Sequence, residues 1–113
     1  MVDVKGTTIT ITRGDDAAIE VQIIDSDGSI YEPAEGDSVR FALKKNYTDS
    51  EPLLVIDIPI STMILRIRSE DTKQLESGPI RGRYKYDIEL TRADGWVDTF
   101  IPRADFLVLE EVL

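Results

Sequence analysis

The chain has 113 residues, no cysteine and no histidine, and its 22 acidic residues against 13 basic ones give a formal charge of -9. That length suits a single domain whose core needs no staples, and the missing thiols exclude a disulfide framework and a thiolate metal site. The acidic balance excludes nucleic acid as an expected partner, because neutralising phosphates takes a surplus of Lys and Arg.

The opening, Met1-Val2-Asp3-Val4-Lys5-Gly6, has neither the basic nor the apolar region of a secretion signal. The longest apolar stretch, Pro52 to Ile60, is broken by Asp57 and is too short to span a bilayer. The expectation is a chain made and folded in the cytoplasm, with no membrane partner.

From there the dominant period is two. Thr8-Ile9-Thr10-Ile11-Thr12 alternates with β-branched residues, and Ala18 to Ile23 alternates again. Arg13-Gly14-Asp15-Asp16 between them reads as a tight connection, so residues 8 to 23 predict two neighbouring strands. Asp25-Ser26-Asp27-Gly28-Ser29 is a hairpin-type turn, Ile30-Tyr31 a short extended piece, and Pro33 to Asp37 a further turn. In Ser38 to Lys44, Val39, Phe41 and Leu43 share one face. In Leu53 to Ile60, Leu54, Ile56, Ile58 and Ile60 do the same. Met63 to Arg68 alternates with Leu65 and Ile67 inward. Ser69 to Leu75 predicts a single helical turn, with Ser69 as its N-cap and acids in its first turn.

Arg83 to Leu90 is a long strand with Tyr84, Tyr86, Ile88 and Leu90 inward. Ala93-Asp94-Gly95 then turns the chain, Trp96 to Ile101 returns, and Asp105 to Val112 forms a last strand. Within that strand Phe106-Leu107-Val108-Leu109 is apolar without a break, which fits burial on both sides or an exposed stripe that meets a partner. The pattern predicts an all-β fold, an immunoglobulin-like antiparallel β-sandwich of about seven to nine strands with one short helical turn, in one domain over residues 1–113. In such sandwiches a tyrosine at a corner bonds back to the nearby backbone. Tyr84 and Tyr86 are the two candidates, and both also suit ordinary core positions.

Little in the chain points to chemistry. Without histidine or cysteine, the commonest general base, the strongest zinc ligands and the usual nucleophile pairs are gone. Asp25-x-Asp27-Gly28 departs from the calcium-loop spacing and reads better as a turn. Arg13-Gly14-Asp15 is a tripeptide that adhesion receptors read, yet turn chemistry accounts for it. Arg66, Arg68, Arg81, Arg83 and Lys85 form a basic concentration that suits a solvated strand face or an acidic neighbour. Residues 1–56 hold 11 acids and 5 bases, residues 57–113 11 and 8, an asymmetry that a head-to-tail contact between copies can use. No catalytic residue, metal or cofactor is expected.

Three stretches together carry a family resemblance. These are Lys5 to Asp15 with its Ile11-Thr12-Arg13-Gly14-Asp15 string, Val39 to Lys45, and Tyr86 to Thr91 followed by Gly95-x-x-Asp98-Thr99-Phe100-Ile101. In this order they resemble the N-terminal domain of the phage baseplate upper protein family and its stand-alone prophage relatives, over about Thr8 to Val112. The Ser77 to Arg81 stretch is longer than that pattern. The resemblance implies an immunoglobulin-like sandwich acting as a virion structural protein of the tail or baseplate. Its implied partners are other tail or baseplate proteins and copies of itself, reached after synthesis in the bacterial cytoplasm. Candidate contact residues are Thr8, Thr10 and Thr12 on an edge strand, Trp96 at a turn exit, and Phe106, Leu107 and Leu109. The alternative is an immunoglobulin-like bacterial surface or adhesion module binding protein or sugar. A small carboxylate enzyme is a third reading, which a deep pocket with two unlike acids would favour.

Overall fold

The computed structural model describes residues 2–25 and 27–111. The fold is mostly β, with several sheets and a curled half-barrel. Ten strands occur among the described residues: β1 (Val2–Lys5), β2 (Thr8–Thr12), β3 (Ala17–Glu20), β4 (Ile23–Ile24), β5 (Ile30–Tyr31), β6 (Ser38–Lys44), β7 (Leu54–Ile58), β8 (Ile64–Ile67), β9 (Arg83–Thr91) and β10 (Val97–Leu109). A five-residue helix, α1 (Ser69–Lys73), links β8 to β9. No helix among the described residues is long and apolar enough to cross a membrane.

The six-stranded sheet has the order β1-β2-β10-β9-β6-β7, and β3-β8 and β4-β5 form two small antiparallel sheets. An all-antiparallel arrangement is corrected by one pair, since β2 and β10 run parallel. Two neighbouring strands over residues 8 to 23 are corrected as well. β2 lies in the large sheet whereas β3 pairs with β8, so Arg13 to Asp16 carries the chain from one sheet to another. Gly14, at φ 89°, makes that corner.

Alternation decides the core. Ile9 and Ile11, then Val39, Phe41 and Leu43, Tyr84 to Leu90 at every second residue, and Phe106 and Val108 are all buried with Leu65 and Ile67 of β8. At their centre Phe41 lies 5.3 Å from Tyr86 and 6.0 Å from Phe106 by ring centroids, and Tyr86 meets Phe106 edge-on at 6.3 Å. Such aromatic pairs contribute about 0.5–1.5 kcal/mol each beyond their burial.

The expected break after Ile101 does not divide the last segment. β10 is one bulged strand against β9, with register shifts between Thr99 and Ile101 and between Ile101 and Ala104. Arg103, at φ 52°, absorbs the irregularity next to Pro102, and its N–H donates to Asp87 Oδ1 at 2.7 Å. The strand closes at Leu109, and Val112 lies outside the described residues. The N-cap of α1 is Arg68 rather than Ser69. Asp71 accepts from Arg68 N–H at 2.9 Å, and Asp16 accepts from Ser69 N–H at 2.6 Å.

Candidate interaction surface

The parallel register of β2 and β10 sets Leu107 beside Thr10 and Leu109 beside Thr12. These four residues and Thr8 therefore share the outer face of the large sheet, the threonines and Leu107 half-buried and Leu109 exposed. Phe106 is not among them. It is fully buried on the opposite face beside Ile9, because side chains of successive strand residues point to opposite sides. The strand Thr8–Thr12 is not an edge either, since β1 covers one side and β10 the other. The edges of the large sheet are β1 and β7. The alternation of Val2 and Val4, followed by Gly6 at φ 60°, was the available signal for β1.

Beyond Leu107 the surface turns basic. Lys45, Arg83 and Lys85, with Asp105 and Ile80, line an open hollow of about 520 Å³. The ammonium of Lys45 lies 4.6 Å from the centre of the Tyr84 ring and donates to Arg81 O. Arg83 Nε donates to Pro79 O at 2.6 Å, and Lys85 pairs with Asp105. Of the basic concentration in the sequence, Arg83 and Lys85 meet here and Arg81 offers only its carbonyl, while Arg66 and Arg68 belong to β8 and the helix cap on the other sheet. Ile80, 82% exposed, carries no sequence signal, because it sits in a loop where no period exists to flag it.

Trp96 lies apart from this face, at the far end of the β9–β10 hairpin. Ile23, Ile24, Trp96 and Phe100 give a groove of about 600 Å³ its apolar lining, and Asp25, Asp94, Asp98 and Arg92 give it charge. The indole Nε1 donates to Asp98 Oδ1 at 3.0 Å, and Trp96 N–H donates to Asp94 Oδ1 at 3.0 Å. Arg92 pairs with Asp98 at 3.6 Å and stacks 4.9 Å from the Tyr31 ring centre. Tyr31 in turn donates to Asp37 Oδ2 at 2.6 Å. That bond, with the Ala34 and Ala93 N–H groups, holds the Asp37 carboxyl below its ordinary range and pushes the Tyr31 phenol up.

Of the two candidate tyrosines, Tyr84 bonds back to nearby backbone. Its hydroxyl accepts from Glu76 N–H at 2.8 Å and donates to Glu76 O at 3.1 Å, eight residues back. Tyr86 bonds across the molecule to Thr7 O instead.

The Arg13-Gly14-Asp15 string is likewise structural. Arg13 Nε donates to Leu75 O at 3.0 Å, its other nitrogens reach Lys73 O and Glu111, and Gly14 N–H donates to Thr72 Oγ1 at 2.8 Å. The Arg13 guanidinium thus closes the end of α1. Asp27 is spent on an Asx turn, accepting from Ser29 N–H and Oγ at 3.0 and 2.6 Å. Among the described residues no group of three acidic side chains is placed to hold a metal ion. Comparison with family models, with curated proteins and with solved structures returns no match.

Proposed function

We propose that this chain is a non-enzymatic structural protein of a phage or prophage tail or baseplate, acting by protein–protein packing on an immunoglobulin-like sandwich. The sandwich reading is supported by strand pairing. β3 with β8, facing a sheet in which β10, β9, β6 and β7 are neighbours, follows the B–E and G–F–C–C′ pairings of variable-type immunoglobulin domains. The Tyr84 corner supports it too. In that scheme Tyr86, two residues after the corner, stands where the second cysteine of an antibody domain would be, and Phe41 takes the place of the core tryptophan.

The observation that carries the packing role is the outer face itself. Thr8, Thr10, Thr12, Leu107 and Leu109 lie together beside exposed Ile80 and the cations Lys45, Arg83 and Lys85. Apolar side chains on an open sheet face, rimmed by charge, suit a protein partner better than a small substrate, which needs an enclosed site. The resemblance in strand and turn residues then selects the tail as the setting.

The test is the particle. Tailed particles purified from the bacterial strain that carries the gene should contain the chain by mass spectrometry, with immunogold label on the tail. Recovery from the cell wall, and none from particles, would overturn the proposal and favour an adhesion module.

A further inference from the structure

The packing role proposed above needs surfaces that fit one another, and the two ends of the β9–β10 hairpin do so. At one end three cations, Lys45, Arg83 and Lys85, stand against one carboxylate, Asp105. At the other, three carboxylates, Asp25, Asp94 and Asp98, stand against one cation, Arg92. Ile80 and Trp96, at 82% and 64%, are the two most exposed large apolar side chains among the described residues, and each sits at one of these ends. The strand between Tyr84 and Arg92 separates them by about 26 Å at a rise of ~3.3 Å per residue. The two hollows therefore lie at opposite ends of the hairpin.

We propose that the chain binds a second copy of itself head to tail, with Ile80 of one copy entering the Trp96 groove of the next. Lys45, Arg83 and Lys85 then lie against Asp25, Asp94 and Asp98. Burying the isoleucine and the indole supplies attraction, and the charges around them set direction and register. Two like ends repel. The contact is heterologous, because each copy keeps one knob and one groove free; it closes into a ring or extends as a filament according to the rotation between copies. Neither Ile80 nor Trp96 belongs to the core, so both ends can be altered without removing a core side chain.

Sedimentation velocity over about a hundredfold range of concentration is the test. The wild-type mass should rise with concentration. Trp96 is the sole tryptophan, so its emission should shift to the blue as the groove closes. Ile80→Asp and Trp96→Ser, each checked for native circular dichroism, should raise the dissociation constant about tenfold or more. Mixed in equal amounts they should pair one to one and go no further, since the first variant keeps the groove and the second keeps the knob. A wild-type chain that stays monomeric throughout overturns the inference, as do blocked variants that fail to pair while the wild type associates. An emission shift that follows added oligosaccharide instead of protein concentration overturns it too. Presence in tail particles is measured separately, so a monomer found in tails removes this contact and leaves the packing role standing.

Discussion

Two tyrosines two residues apart do different work. Tyr84 satisfies both backbone groups of Glu76 with one hydroxyl. Replacing it with Phe leaves an N–H and a carbonyl without that partner, and we expect a loss of about 1–3 kcal/mol in urea unfolding. Tyr86 is buried at the aromatic centre, and that burial pushes its phenol from 10.0 up to about 12. The folded state thus favours the protonated phenol. The associated stability should be complete below pH 10 and should fade as pH rises from there through about 12. Unfolding titrations at successive pH values, read beside phenolate absorbance, check both the direction and the window. Asp37 works in the opposite sense. Its lowered carboxyl favours the folded state above the ordinary value of 3.8, and that contribution is lost as acid protonates it.

At the scale of the elements, what was legible was what is local. The inward faces of β6 and β9 follow from alternation alone, and Val39, Phe41, Leu43, Tyr84, Tyr86, Ile88 and Leu90 are all buried as that alternation requires. The faces of β10 were not legible, because Phe106-Leu107-Val108-Leu109 has no polar residue to mark the outside. Register with β2, nearly the whole chain away, settles them. The same distance hid the covering of Thr8–Thr12. One consequence is a split within a single run: Phe106→Ala should cost about 3–5 kcal/mol, while Leu109→Ser should change stability by no more than about 0.5 kcal/mol. Thermal unfolding of the two variants separates them. A second element-scale prediction concerns Gly82, just before β9. An added Cβ there would lie 2.2 Å from Val108 O and 2.6 Å from Gly78 O, both backbone atoms. Gly82→Ala should therefore destabilise by about 1–3 kcal/mol, the range for forced overpacking, although its φ is not positive. Denaturant midpoints would show it, and an unchanged midpoint would mean that β9 and β10 can part at that crossing.

Over the whole molecule, a charge of -9 coexists with ends of opposite sign. Net repulsion between copies then has to be outweighed locally, which ties any association to ionic strength. The candidate surface was partly visible in advance, as threonines and leucines on strands. Of the knob and the groove only Trp96 was, because loops and hairpin ends bring together residues that no period relates. The parallel pairing of β2 with β10 bears on time as well as shape. Its two strands come from opposite ends of the sequence, so the ladder forms only by closing a loop almost as long as the chain, and folding should be slow for a domain of this size. On the ribosome β2 waits with one side open until β10 has emerged. During that interval the first half of the chain, with 11 acids against 5 bases, carries a net repulsion that opposes pairing between nascent copies.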